Sequence, residues 1–73
     1  MEYSIGHTIR SKKGRRIVYQ PDWDSHQPWA YYHINGDAGR HFPSVETAQE
    51  YCTNLQDPLV LGVLHDQQSK TVN

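Results

Sequence analysis

The sequence predicts one small α+β domain in which an antiparallel sheet of three to five strands, formed by two hairpins, packs on one α-helix. Three observations predict this fold. Runs of β-branched and aromatic residues alternate with polar residues up to residue 42, turns containing glycine separate these runs, and a segment with helical spacing follows them. We assign residues 1–64 to the domain and residues 65–73 to a disordered tail, because the tail has almost no apolar side chains to bury.

The first predicted hairpin begins with a half-buried strand over residues 3–9, where apolar and polar side chains alternate. Residues 11–16 (SKKGRR) are typical of a basic turn around a glycine, and the β-branched and aromatic residues that follow predict the returning strand. Residues 21–28 (PDWDSHQP) lie between two prolines, which cannot continue a strand ladder. We therefore expect a surface loop that carries Trp23.

The second predicted hairpin contains the strongest strand signal of the chain, residues 29–34 (WAYYHI), followed by a glycine turn and a short partner strand over residues 40–42. Successive side chains of a strand point to opposite faces of the sheet. We place Ala30, Tyr32 and Ile34 on the core face, which leaves Trp29, Tyr31 and His33 on the other. That second face is either an exposed aromatic surface or is covered by the Trp23 loop or by residues 59–64.

A single helix is predicted from Ser44 to about Gln56. The Ser44 hydroxyl can accept hydrogen bonds from the free amides of the first turn, and Asp57-Pro58 is expected to end the helix. The apolar residues fall three and four apart and form one stripe, made of Val45, Ala48, Tyr51, Cys52 and Leu55. Residues 59–64 (LVLGVL) are too short for an independent helix and are expected to form either a closing strand or an apolar plug on the sheet.

The residues that could carry chemistry do not predict an enzyme. Cys52 lies on the apolar stripe, which favours a buried structural thiol over a nucleophile. The glycine turn after residue 34 lies between strands, whereas a phosphate-binding loop is followed by a helix. Asp22, Asp24 and His26 are three potential ligands, fewer than a structural zinc site needs. We therefore expect no catalysis, no cofactor and no metal site.

The expected location is the cytoplasm. One cysteine allows no intramolecular disulfide, which fits a reducing compartment. The first ten residues are interrupted by polar side chains, unlike a secretory signal. The longest apolar stretch has six residues, against the roughly 20 that a membrane-spanning helix requires.

The charges of the chain are divided along its length. Residues 1–16 carry a formal charge of +4 and residues 17–73 a charge of −5, which together give the net charge of −1. Such a division creates opposite fields on two parts of a small surface and steers charged partners. The cations could bind the phosphates of nucleic acid or an acidic protein surface, or they could only solvate a turn. The acidic remainder would repel a polyanion unless it faced away, so a protein partner is favoured.

The candidate partner-binding residues combine these cations with apolar residues of the neighbouring strands. The cations would capture an anionic partner and the apolar side chains would add affinity, or two aromatic rings, Trp29 and Tyr31, would stack on bases. The candidates are Tyr3, Ile9, Arg10, Lys12, Lys13, Arg15, Arg16, Trp29 and Tyr31.

Two resemblances extend this interpretation. From Trp29 to Cys52, an aromatic strand, a glycine turn, the segment HFPS and a helix with Ala48 and Tyr51 resemble the arm-type DNA-binding domains of phage integrases. The whole chain, a small cysteine-poor domain with divided charge, resembles the host-takeover proteins of bacteriophages. The second resemblance implies a non-enzymatic regulator that binds host RNA polymerase at the N-terminal region of its β′ subunit. It would inhibit initiation or promote antitermination in the host cytoplasm.

Overall fold

The computed structural model describes residues 3–61 and confirms the predicted fold class. Four antiparallel strands form one sheet in the order β1-β2-β3-β4, and one helix packs on one of its faces. The predicted tail, residues 65–73, and the last residues of the predicted domain, 62–64, lie outside the described residues. The elements are β1 Thr8–Arg10, β2 Arg16–Tyr19, β3 Trp29–Tyr32, β4 Ala38–Phe42 and α1 Val45–Asn54.

The first hairpin pairs shorter strands than predicted. The amide of His7 donates to the carbonyl of Ser4 at 2.9 Å, and Gly6 has a φ of 90°. This left-handed conformation makes a turn where the alternating pattern predicted a strand, so β1 begins only at Thr8. Ile9 then lies opposite Ile17, which is the pair that enters the core.

A β-bulge interrupts the pairing of β3 with β4. Ala30 lies opposite His41 and Tyr32 opposite Ala38, so two residues of β4, Gly39 and Arg40, face the single residue Tyr31. A Cβ atom at position 39 would lie 2.8 Å from Cδ2 of the Tyr31 ring. The sequence therefore needs glycine at this position for steric reasons, since the ring occupies the space of a side chain.

Replacing Gly39 by alanine should destabilise the domain by about 1–3 kcal/mol, the usual cost of forcing an extra carbon into a packed site. Urea denaturation measures the change. Ala38→Ser is the matched control, because Ala38 is exposed and precedes Gly39 in the same strand. Equal stability of the two variants would contradict the close packing of Tyr31 on Gly39.

The face of the sheet that packs on α1 carries the aromatic residues that the sequence placed on the opposite face. Trp29 is 3% exposed and Tyr31 is 1% exposed, whereas Ile34 is 52% exposed and Tyr32 is half-buried. The predicted core face is therefore wrong for Tyr32 and Ile34, whereas Ala30 is buried at 2% exposure but lies outside the main core cluster. The reason is the register, because Ile17 pairs with Tyr31 and both lie under α1. The core consists of Ile9, Ile17, Trp29, Tyr31, Phe42, Ala48, Cys52 and Leu59.

Both ends of α1 have defined caps. The Ser44 hydroxyl accepts a hydrogen bond from the amide of Thr47 at 3.2 Å, which confirms the predicted N-cap. The C-terminal end comes two residues earlier than predicted. Gln56 adopts a left-handed conformation with φ of 61°, its amide donates to Thr53, and the amide of Asp57 donates to Cys52. These bonds form a Schellman motif that turns the chain back toward the sheet.

The structure differs from the prediction at Leu55 and in the residues that follow the C-cap of α1. Leu55, which was predicted on the apolar stripe, is 39% exposed because it lies at the C-cap. Leu59 is buried in the core and forms an isolated antiparallel bridge with Ser11 at the end of β1. The amide of Val60 donates to the carbonyl of Arg10 at 2.8 Å. The start of the predicted apolar segment thus forms one bridge beside β1 and fills the core.

Candidate binding surface

The face of the sheet opposite α1 is not covered by that helix, and we call it the open face. Arg10 is exposed there, most of its other side chains are half-buried, and Ala30 is 2% exposed. Its side chains follow from the register, in which Thr8, Val18, Ala30 and His41 form one row across the sheet and Arg10, Arg16 and Tyr32 form the next. No helix or strand within residues 3–61 packs across it. The open face is therefore composed of cationic, aromatic and small side chains.

Arg16 and Tyr32 form a stacked pair on the open face. The guanidinium carbon of Arg16 lies 4.2 Å from the centroid of the Tyr32 ring. This distance is within the range of a cation–π interaction, which holds a long cationic side chain in one orientation. Nη1 of Arg16 is buried and has no hydrogen-bond partner among the described residues. The pair thus holds a half-buried guanidinium on the open face, with its Nη1 shielded from solvent.

Most cations of the basic segment lie at the same end of the sheet as this pair. Arg10 is exposed on the open face, and Lys12 and Lys13 are exposed in the turn between β1 and β2. The one salt bridge among residues 3–61 joins Arg15 to Asp57. Arg10, Lys12, Lys13 and Arg16 therefore have no carboxylate partner in the part of the chain that the structure describes.

Arg15 has a structural role instead. Its Nη1 donates to Oδ2 of Asp57 at 2.8 Å and its Nε donates to the hydroxyl of Tyr31 at 3.1 Å. Asp57 is 2% exposed and also accepts from the Ser11 hydroxyl at 2.6 Å and from the backbone amide of Lys13 at 3.2 Å. The predicted partner residue Arg15 is thus turned toward the core, where it holds the basic turn against the end of α1.

The hydrogen bonds of this cluster also set its protonation states. Burial alone would raise the pKa of Asp57, but the hydrogen bonds from Ser11, Arg15 and Lys13 outweigh it and leave that pKa below its ordinary value. The hydrogen bond to Asp57 raises the pKa of Arg15. Both groups are therefore charged at neutral pH, and the negative charge of Asp57 is balanced inside the molecule by the positive charge of Arg15.

The carboxylates of α1 lie on the other side of the sheet from the open face. Glu46 and Glu50 are exposed on the solvent side of the helix, away from the buried Ala48 and Cys52. Because the helix packs on the opposite face, the sheet separates these acids from the open face. The remaining described acids are in loops and turns, at Asp22, Asp24 and Asp37.

The apolar residues of the predicted site do not lie at the surface. Ile9, Trp29 and Tyr31 are buried in the core. Tyr3 is half-buried, and its ring centroid lies 4.8 Å from that of Trp29 in an edge-to-face arrangement. In this conformation none of the three buried side chains can contact a partner, so the apolar half of the predicted site is not assembled.

The open face has two aromatic residues that the predicted site omitted, Tyr32 and Trp23. Trp23 is 61% exposed in the loop after β2, as the prolines of that loop predicted. The centroid of its ring lies 6.3 Å from the centroid of the His41 ring. Once the register is known, one feature of the sequence explains why Tyr32 faces outward. A charged residue at position 16 beside Ile17 marks the face of β2 that points to solvent, and Tyr32 pairs with Arg16.

The described residues contain neither an accessible thiol nor a group of side chains that could hold a metal ion. Cys52 is completely buried and burial raises the pKa of its thiol, which disfavours the reactive thiolate. Within residues 3–61 no three His, Cys, Asp or Glu side chains are grouped closely enough to hold a metal ion. Asp24 accepts hydrogen bonds from the amides of His26 and Gln27. No helix of these residues has the length and apolar character needed to cross a membrane.

The fold and the surface together define a small α+β domain with a basic open sheet face. Comparisons with protein families, with curated proteins and with solved structures found no significant match.

Proposed function

We propose that this chain is a non-enzymatic nucleic-acid-binding module of the cytoplasm, which contacts phosphates through Arg10, Lys12, Lys13 and Arg16. One observation carries the proposal. Arg10 and Arg16 pair across β1 and β2, and Lys12 and Lys13 are exposed in the turn that joins these strands. None of the four has a carboxylate partner among residues 3–61, while the acids of α1 lie behind the sheet. The sequence favoured a protein partner because the negative charge of residues 17–73 would repel a polyanion such as nucleic acid. The separation by the sheet and the neutralisation of Asp57 weaken that objection.

The number of cations sets the expected salt dependence of binding. Each phosphate that a lysine or arginine neutralises releases condensed counterions. Four such contacts predict a slope of log Kd against log salt concentration of about 3.6 on duplex DNA and about 2.8 on a single strand. A module of this kind binds tightly at low salt and weakly at high salt.

Fluorescence anisotropy with short labelled oligonucleotides tests the proposal between about 50 and 200 mM salt. Arg10→Glu/Arg16→Glu should abolish most of the binding. The matched control is Arg40→Glu, which replaces a cation on the helix side of the sheet, near Phe42 and Tyr51. A protein that binds no oligonucleotide at the lowest salt, or that loses as much affinity through Arg40→Glu, would contradict the proposal.

A second candidate function is the phage-type regulator that binds host RNA polymerase near the β′ N-terminus and inhibits initiation or promotes antitermination. The observation that favours a protein partner is the exposure of two large apolar side chains, Ile5 at 68% and Trp23 at 61%. Exposed aromatic side chains often provide the binding energy of protein interfaces. The discriminating experiment is a pull-down from bacterial lysate treated with nuclease. Recovery of RNA polymerase by the wild type but not by Arg10→Glu/Arg16→Glu would favour this candidate.

A further inference from the structure

We infer, on the basis of the proposed function, that the open face binds single-stranded nucleic acid in preference to duplex, with Trp23 as the base-stacking residue. The features that lead to this inference are the way in which Trp23 is held, the stacked pair of Arg16 and Tyr32, and the width of the sheet. The first concerns the stacking of a base, the second the alternation of bases and phosphates, and the third the choice between a single strand and a duplex.

Trp23 is held at the surface by a loop with its own hydrogen bonds. The amide of Trp23 donates to the carbonyl of Gln20 at 3.1 Å, and the amide of Gln20 donates to the carbonyl of Pro28 at 2.7 Å. Inside the loop, Asp24 accepts from two backbone amides. These bonds fix the backbone of the loop, while the indole ring itself remains 61% exposed. An exposed aromatic ring on a fixed backbone offers a base a surface for stacking.

The Arg16–Tyr32 pair extends this surface along the sheet. Trp23 lies beside His41, which pairs with Ala30, and Tyr32 lies two residues further along β3. Two residues of a strand span about 7 Å. A chain crossing the open face from Trp23 therefore meets the guanidinium of Arg16 next, and then the exposed cations of β1 and its turn. Stacking groups followed by cations suit a strand with free bases and a charged backbone.

The width of the sheet argues against a duplex on the open face. Four strands about 4.8 Å apart place the outer strands about 14 Å from each other. The major groove of B-DNA is about 12 Å wide and admits a helix or a two-stranded ribbon. A four-stranded face of this width does not fit into it, and the bases of a duplex are stacked on one another and do not reach Trp23. A duplex could be contacted only by the β1–β2 turn, through Lys12 and Lys13.

The test measures the affinity of the full chain for a labelled single strand of mixed sequence, as DNA and as RNA, and for the DNA duplex of the same length. We expect the single strands to bind about tenfold or more tightly than the duplex. Trp23→Ala should weaken single-strand binding by about tenfold, the effect of losing one base stack, and Trp23→Phe should restore part of it. Because Trp23 is exposed, these variants should fold like the wild type, which circular dichroism verifies.

The outcomes separate this inference from the proposed function. Duplex binding as tight as single-strand binding, or single-strand binding that Trp23→Ala leaves unchanged, would overturn the inference while the nucleic-acid function stood. Single-strand binding that depends on Lys12 and Lys13 alone would assign recognition to the β1–β2 turn and overturn it as well. A chain that binds none of the oligonucleotides at low salt would remove the proposed function and the inference together.

Discussion

Replacing Asp57 by asparagine should destabilise the domain more than any other substitution of a charged residue within residues 3–61. The Asp57 carboxylate accepts from the Ser11 hydroxyl, the Lys13 amide and the Arg15 guanidinium. An asparagine has one acceptor oxygen and presents an NH₂ group to the same donors, so it cannot satisfy all three. A domain of this length has about 4–11 kcal/mol of total stability. We expect the urea midpoint of Asp57→Asn to lie well below that of the wild type, by a large fraction of the wild-type value.

The same carboxylate should make the stability of the wild type depend on acid pH. Its pKa is lower in the folded state than its ordinary value of 3.8. The stabilisation is therefore fully present above the ordinary value and is lost as the pH falls through the lower folded-state pKa. Urea denaturation from pH 7 to pH 2 should show a loss of stability below about pH 4 that is smaller in Asp57→Asn.

Glu50→Gln provides the control, because it removes the same charge from an exposed position on α1. Its stability should stay within about 0.5 kcal/mol of the wild type. Two outcomes would contradict the structural role of Asp57. One is equal destabilisation by the two substitutions, and the other is an acid-pH dependence that Asp57→Asn leaves unchanged.

Replacing Tyr31 by alanine should cost about 4 kcal/mol, since the ring is completely buried between β4 and α1 and its loss leaves a large cavity. Tyr32→Ala removes the same side chain one residue later, on the open face. It should cost about 1 kcal/mol, mainly the contact with Arg16. The pair of variants measures directly which face of β3 belongs to the core.

Urea denaturation of both variants gives the comparison, and Tyr31→Leu serves as a milder variant if Tyr31→Ala does not fold. The urea midpoint should fall further for Tyr31→Ala than for Tyr32→Ala, while the slope of unfolding free energy against urea concentration stays unchanged. Equal losses, or a larger loss for Tyr32→Ala, would mean that the aromatic strand presents its other face to the helix.

The elements whose signals are local were predictable from the sequence. Both hairpins and the helix with its Ser44 cap follow from turn residues, propensity and a side-chain bond to the adjacent turn. The faces of β3 were not predictable in the same way. WAYY contains no charged residue to mark the outside, so its orientation depends on the pairing of Tyr31 with Ile17 on the neighbouring strand. That register is a non-local property of the sheet.

The candidate site likewise contains residues whose exposure has a local signal in the sequence and residues whose role depends on distant contacts. The exposure of Lys12 and Lys13 follows from the predicted basic turn, whereas Arg10 is exposed at the end of β1. The structural role of Arg15 depends on Asp57, which is 42 residues away in the sequence and reaches it only because Gln56 turns the chain back. No pattern near residue 15 indicates this ion pair. Its neighbour Arg16, the first residue of β2, carries the same charge but lies on the open face, where it pairs with Arg10 and Tyr32.

The segment after the helix has a consequence for how partners can approach the sheet. Unpaired backbone groups at a sheet edge are templates for added strands and for aggregation. At one edge, the bridge between Ser11 and Leu59 and the bond from Val60 to Arg10 occupy backbone groups at the end of β1. At the other edge, the bulge at Gly39 disrupts the regular spacing of β4. Within residues 3–61, neither edge therefore offers a long regular template to which another chain could add a strand.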